Sequence, residues 1–400
     1  MSAVWDVAIA GGGATGLILG LALRALSGGA LRIVLIDRSS PAIRSGPRTS
    51  ALAEGPRRML DRLGVWGSLA DVAEPIRRME ISDAKLTDAV KAALLSFDAE
   101  GEVDPLAHML FHRDLEPRLL EAATRNGLEV LTDAIDQISF SEAVASVRTK
   151  GDLELRARLL VGADGLNSRT RMAARIPVVS WPYERTALVL TIRHELEHNG
   201  LAVQHFLEGG PFACLPLRGR RSSIVWTESS VAAANCRMAS HRALTNELEA
   251  RLGHRFGSVE VEEGPETFPL IFQMARRFIA PRLALVGDAA HRVHPLAGQG
   301  LNIGLRDVAT LAELILDYAR LGLDLGSETL LREYERRRLF DATASAAAFD
   351  LIHKSYAVDG TFAPIARRVG MSAVERLNGL KRSLRLEASG LLGERLSLFR

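Results

Sequence analysis

The stretch Ile9-Ala10-Gly11-Gly12-Gly13-Ala14-Thr15-Gly16 decides the fold of this chain. Val4 to Ala10 before it is apolar with weak alternation, the pattern of a strand buried in a parallel sheet. A helix follows from about Ala14 to Leu26, closed by Gly28-Gly29, and Arg32 to Ile36 is a second buried strand. The unit is βαβ, and Gly11-x-Gly13-x-x-Gly16 sits between its strand and its helix. That placement makes it a dinucleotide-binding fingerprint: glycines let the backbone approach a diphosphate, and the helix start offers unpaired N–H groups. Asp37 closes the second strand about twenty residues after Gly16, where an acid binds a ribose hydroxyl. The turn by itself does not separate a flavin from a nicotinamide dinucleotide.

A second stretch does. From Leu285 to Asp307 the chain reads Leu-Val-Gly-Asp-Ala-Ala-His-Arg-Val-His-Pro-Leu-Ala-Gly-Gln-Gly-Leu-Asn-Ile-Gly-Leu-Arg-Asp. An apolar strand, Leu283 to Val286, ends in Gly287-Asp288; a loop carries Pro295, Gly298, Gln299 and Gly300; a helix begins near Leu301 and Asn302. Asp288 can accept hydrogen bonds from sugar-like hydroxyls, while Gly298 and Gly300 let the backbone lie close to an aromatic ring. The helix start suits the pyrimidine edge of a reduced, anionic flavin.

These two blocks resemble the flavin-dependent aromatic hydroxylases of ubiquinone biosynthesis, a branch of the group A flavoprotein monooxygenases with the para-hydroxybenzoate-hydroxylase-like fold. The resemblance extends to Arg48 through Trp66, to Val161-Gly162-Ala163-Asp164-Gly165 and to Pro211 through Thr227, and thins after about residue 355. It implies FAD as cofactor, with Gly11, Gly13, Ala14, Gly16, Asp37, Arg38, Gly287 and Asp288 among its contacts. It also implies that Arg48 and Arg113 help hold the diphosphate and ribityl chain, a role suited to a forked, permanently charged guanidinium; a surface salt bridge is the competing reading for each. His108 is a further candidate there. Asp164-Gly165 would touch both FAD and a transiently bound NAD(P)H. Most members carry glutamate where this chain has the shorter Asp37. The implied reaction uses NAD(P)H and O2 to place one oxygen atom on an electron-rich phenol ring, with water as the other product, and the implied substrate is a polyprenylated phenol. A hydroxylase of small soluble phenols, or a mainly structural flavoprotein of a membrane-associated biosynthetic complex, are the alternatives. The residues single out no catalytic base.

The fold expected is α/β: a Rossmann-like FAD-binding domain from 1–75, 106–180 and 270–330, interrupted by an antiparallel sheet domain for substrate from 76–105 and 181–269, with C-terminal helices in 331–400. Within the sheet domain, Ala187 to Ile192, Leu201 to Leu207, Phe212 to Leu217 and Ser222 to Thr227 read as strands, parted by turns at His198-Asn199-Gly200 and Arg218-Gly219-Arg220.

Composition bounds the remainder. With 400 residues and 47% hydrophobic content the chain can bury a large core. Fifty basic residues against 48 acidic ones give +2, too balanced for a nucleic-acid binder. Cys214 and Cys236 read as reduced and structural. The uncharged run Val7 to Leu23 is broken by glycines and is no membrane span, and an N-terminus with Asp6 and no lysine or arginine is no signal peptide, so the reading is cytoplasmic. Two constellations mimic metal sites. His194-Glu195-x-x-His198 needs a helix to align its histidines, yet a β-rich run precedes it and a turn follows. Asp288-x-x-His291-x-x-His294 could imitate a two-histidine, one-carboxylate iron site, but a flavin loop accounts for more of the segment; no metal is expected. In the tail, Val374, Leu377, Leu380, Leu384, Ala388 and Leu391 fall at helical spacing, and residues 361–400 carry eight basic against three acidic side chains. Such a helix can lie peripherally on the inner membrane, dock on a partner or pack on its own domain.

Overall fold

The computed structural model describes residues 4–39, 46–88, 91–99, 104–207, 209–292, 300–357, 374–389 and 396–399. Strand Trp5–Ala10 is the centre of the first sheet. It pairs in parallel with Glu154–Gly162 on one side and Ile33–Asp37 on the other. Leu283–Leu285 and Glu129–Thr132 extend these two flanks, also in parallel. Residues Val7 to Ala10 are fully buried, as a strand covered on both faces requires. Because the strands run the same way, Gly11, Asp37, Asp164 and Gly287-Asp288 all emerge at one edge of the sheet, the edge where open α/β sheets bind ligands.

Helix Ala14–Leu26 is buried from Gly16 to Leu23 because it packs against both His112–Arg125 and Gly300–Arg320 as well as the sheet. The C-terminal helix Glu328–Ala357 continues this layer, and Tyr334 from it, fully buried, donates its hydroxyl to the Leu285 carbonyl at 2.7 Å.

The second sheet has eight strands among the described residues, in the order His291–Arg292, Val259–Ala275, Val178–His194, Arg221–Ser229, Gly210–Leu217, Leu201–Leu207, Arg78–Asp83 and Leu95–Asp98. Only Leu201–Leu207 with Arg78–Asp83 is parallel. The four strands read from the sequence lie inside these elements. Two features differ from that reading. Val178–His194 and Val259–Ala275 are each 17 residues long and pair along most of their length, running through the expected boundaries at 180/181 and 269/270. The second was not legible as a strand, since Glu260, Glu262, Glu263 and Glu266 break its apolar pattern. One face of this sheet is covered by helices Ser230–Met238 and His241–Leu252 over a core that includes Leu188, Ile192, Phe212, Ile224, Trp226 and Leu248. The other face meets a small sheet of Thr49–Ala53, Ala107–Phe111 and Glu74–Ile76 through Ala51, Met109, Phe111, Ala202, Ala213 and Leu215.

Candidate functional site

Gly11 has φ of +112°, and a Cβ there would lie 2.3 Å from the Ala163 carbonyl oxygen, so the first turn is pressed against the loop that follows Glu154–Gly162. Only glycine satisfies both demands. Asp37 reaches over the turn: its Oδ2 accepts the Gly12 N–H at 2.5 Å, and its Oδ1 accepts from the Ser39 backbone and hydroxyl. Gly13 is the N-cap of the helix and supplies no side-chain cap, and the first turn holds no acid. The helix start therefore presents N–H donors with no capping side chain, which is what a diphosphate takes up. Ala14 is buried at that start, and Arg38 is exposed beside Asp37.

The second loop is held from beneath. Asp307, fully buried on helix Gly300–Arg320, accepts the Gly287 N–H at 2.9 Å, His291 Nε2 at 2.7 Å and Arg338 Nε at 2.8 Å. Burial opposes the charge on Asp307, but the neighbouring His291 and Arg338 hold its carboxyl below the usual range. Arg338 is raised in turn: burial works against its charge and the Asp307 and Asp341 carboxylates outweigh it. Gly287 has φ of +60° and Gly304 lies close to it, a built Cβ on Gly304 falling 3.1 Å from the Gly287 Cα; Thr15 flanks both. The two fingerprints thus meet where the two helices cross. Asp288, half-buried in the turn Gly287–Ala289, stands at the strand's C-terminal end. At the helix start, no described residue lies within 4 Å of a Cβ built on Gly300. The uncapped donors at the first helix start and the glycine turn pressed against Ala163 fit the diphosphate of a flavin dinucleotide.

Asn302 ties this helix start to the small sheet: its Oδ1 accepts the Ala53 N–H at 3.0 Å and its Nδ2 donates to the Ala51 carbonyl at 2.8 Å. Leu301 is half-buried next to it. Pro295, Gly298, Gln299 and His294 lie outside the described residues.

Other expected positions have roles within the protein. Asp164 accepts from Ser168 Oγ, Thr170 Oγ1 and the Thr170 N–H, so its carboxylate shapes the loop into the helix Arg169–Ala173. Gly165 follows with φ of +79° and open space around it. Arg113 is paired with Glu263 at 2.5 Å, donates to the Gly46 carbonyl at 3.2 Å, and lies 4.0 Å above the Phe111 ring. It ties the small sheet to the large one, the salt-bridge alternative to a phosphate contact. Arg48 is exposed. His108 is packed edge-on against Trp66, and burial, with the Arg57 charge, lowers its pKa to about 4.

The two metal-like constellations have other partners. His194 is held by the Leu196 carbonyl and Ser222 Oγ, and His198 by the Leu217 carbonyl and the Gly200 N–H, so each ring nitrogen of the pair is already engaged in a turn. His291 belongs to Asp307. Residues that sequence reading missed are Asp307, Arg338, Tyr334 and Arg171. The last is buried and donates to the carbonyls of Ala289 and Leu166, joining the Asp164 loop to the Asp288 loop; burial lowers its pKa. Asp307 closes the quoted motif and was the one of these within reach.

Comparison with known proteins agrees with this construction. The chain is 38% identical over 396 residues to the ubiquinone hydroxylase UbiL of Rhodospirillum rubrum, covering 97% of this chain and 90% of that protein. It is 31% identical to the 3-demethoxyubiquinol 3-hydroxylase of Escherichia coli, covering 96% and 98%. The human ubiquinone biosynthesis monooxygenase COQ6 is 30% identical, covering 96% and 92%. The likeness to the first of these therefore continues beyond residue 355, where the motif resemblance fades. Among solved structures, p-nitrophenol 4-monooxygenase PnpA of Pseudomonas putida superposes with a TM-score of 0.81 over 99% of this chain and 100% of that one, at 18% identity, a likeness of fold. The model of the FAD binding domain family matches residues 4–348, and the chain belongs to that family.

Proposed function

We propose that this protein is an FAD-dependent monooxygenase that hydroxylates the ring of a polyprenylated phenol in ubiquinone biosynthesis, with NAD(P)H and O2 as co-substrates. The observation that carries the reading is the meeting of the two fingerprints beside the small sheet: Asn302 fixes the start of Gly300–Arg320 directly against Ala51 and Ala53. Names borne by the relatives above supply the substrate class. Bound FAD supplies the redox and oxygen chemistry.

The chain's own residues bind, orient and shield. The N-terminal helix start, with Gly11, Gly13, Ala14 and Gly16, would hold the diphosphate, and Asp37, with Arg38 beside it, the adenosine end. Asp288 would accept from the ribityl hydroxyls, and the donors at Gly300, Leu301 and Asn302 would face the ring's pyrimidine edge. Pro295, Gly298 and Gln299 complete the loop in the sequence. Where the large and small sheets pack together their facing side chains are alanine, leucine, isoleucine, methionine and phenylalanine, apolar surroundings that would exclude water and suit a hydrocarbon-bearing substrate. The test is deletion of the gene: a prenylated phenol lacking one ring hydroxyl should accumulate, and the purified protein should convert it with one NAD(P)H consumed per product. Accumulation of no prenylated intermediate would overturn the reading.

Peripheral attachment to a membrane is part of the same proposal. Among the described residues no helix is long and apolar enough to cross a bilayer. In the tail, Leu377 and Leu384 are 56% and 42% exposed, with Arg376 and Arg382 exposed near them. Other parts of the tail pack on the chain itself. Glu375 accepts from the Ser96 backbone and hydroxyl, and Leu396, Leu398 and Phe399 are buried in the core of the first sheet's domain.

A further inference from the structure

Gln204 is 5% exposed, and among the described residues its side-chain nitrogen has no hydrogen-bond partner. Buried amides are normally paired, because an unpaired one forfeits its hydration for nothing. Its position is specific. In strand Leu201–Leu207, Val203 and Leu207 point into the helix-covered core of the large sheet, whereas Ala202 points into the cluster shared with the small sheet. Side chains alternate, so Gln204 lies on the face of Ala202. Across the sheet it pairs with Ala213, and Ala213 with Val225, which belong to or pack against the same cluster. On its other flank it pairs with Ile81, so the cross-strand neighbours of this amide, Ala213, Val225 and Ile81, are apolar. The cluster also contains Ala51, whose carbonyl is held by Asn302 at the helix start described above.

We propose that Gln204 is the positioning residue for the aromatic substrate: its amide N–H donates to an oxygen substituent of the ring and so decides which edge of the ring is presented for hydroxylation. This rests on the proposed function and goes beyond it, in assigning recognition of the ring's oxygen to one side chain in an otherwise apolar wall. A ring lacking that oxygen leaves the donor unpaired, so the residue discriminates as well as orients.

The experiment compares the holoenzyme with Gln204→Met, which keeps length and volume and removes the donor. A short-chain prenylated phenol and the corresponding prenylated benzene serve as ligands, read by calorimetric titration. The wild type should bind the phenol more tightly than the benzene, and Gln204→Met should weaken phenol binding roughly three- to tenfold while leaving benzene binding unchanged. KM should rise and the fraction of NAD(P)H coupled to product should fall. The melting temperature should stay level or rise, since an unpaired buried amide has been removed; a structural glutamine would instead lower it and shed flavin. Equal affinity of the wild type for both ligands overturns the assignment, and this measurement stands even where the variant does not fold. Turnover of prenylated phenol by the wild type with unaltered binding and coupling in Gln204→Met removes the assignment alone. Failure of the wild type to hydroxylate any prenylated phenol removes the proposed function and the assignment with it.

Discussion

Replacing Asp307 by alanine should unseat the flavin without touching any residue that faces it. The carboxylate is fully buried and takes three hydrogen bonds, from the Gly287 N–H, His291 and Arg338. Its loss leaves the buried Arg338 guanidinium with Asp341 alone as carboxylate partner and the Gly287 N–H unsatisfied. Removing one member of a buried ion pair costs about 3–5 kcal/mol, a large fraction of the roughly 5–15 kcal/mol that holds a typical domain together. Part of that cost falls on the Gly287-Asp288 turn, whose positive φ is set by this anchor. The expected result is a drop of roughly 4–6 °C in the midpoint at which flavin fluorescence is released, together with FAD lost during purification. The companion variant Arg338→Met, combined with Asp307→Leu, should recover most of the loss, because two apolar side chains leave no stranded charge. A fall of less than about 1 °C in Asp307→Ala, corresponding to roughly 1 kcal/mol or less, would refute the reasoning, as would a double variant worse than the single one.

Four further outcomes can be checked. Gly13→Val should abolish FAD retention by filling the place of the diphosphate, seen as a colourless protein with normal circular dichroism. Asp288→Ala should lower flavin occupancy while iron and zinc stay at background in both forms by elemental analysis; stoichiometric metal lost on this change would restore the iron reading. Burial, aided by the Lys91 and Arg255 charges, lowers the pKa of His205 to about 4. Its unfolded value is near 6.5, so the unfolded chain takes up the proton first and stability falls as pH drops from 6.5 toward 4. At pH 5.5 the loss is about 1 kcal/mol, and His205→Gln should flatten the urea midpoint against pH in that window. In the tail, Leu377→Glu with Leu384→Glu should reduce sedimentation with anionic vesicles while leaving FAD content unchanged, whereas truncation would also remove Leu398 and Phe399 from the core.

What could be read from the sequence was what is local in it. Gly11, Gly16, Asp37 and Gly287 announce themselves because the strand, the turn and the helix that give them meaning are contiguous, and strand Leu201–Leu207 was legible to the residue between two turn signals. What stayed hidden depends on distant partners. Arg338 is 31 positions from Asp307, and Glu263 is 150 positions from Arg113, so nothing near either arginine shows its partner. The same holds for Gln204, which is unremarkable among Ala202, Val203 and His205 until the fold shows which face it occupies and that nothing there meets its amide. Val259–Ala275 was obscured by its glutamates, of which Glu262 meets Arg193 and Arg221 on other strands of the sheet and Glu263 meets Arg113 on helix His112–Arg125.

The order of strands in the large sheet has a consequence for how such a protein can be cut or recombined. Strands Arg78–Asp83 and Leu95–Asp98 come from a part of the chain well before Val178–His194, yet they complete the sheet: Arg78–Asp83 pairs in parallel with Leu201–Leu207 and Leu95–Asp98 pairs antiparallel with Arg78–Asp83. An excised fragment of residues 178–275 would bare that strand's row of N–H and carbonyl groups as an open edge, ready to pair with another molecule. It would also lose Lys91, whose ammonium caps the Ala250 carbonyl, and Arg78–Asp83 beneath the helix-covered core. The large-sheet half is therefore not a portable module: grafting it onto another flavin scaffold requires transplanting residues 78–98, 178–275 and His291–Arg292 at once, whereas exchanging the loops at its rim would leave every strand pair intact.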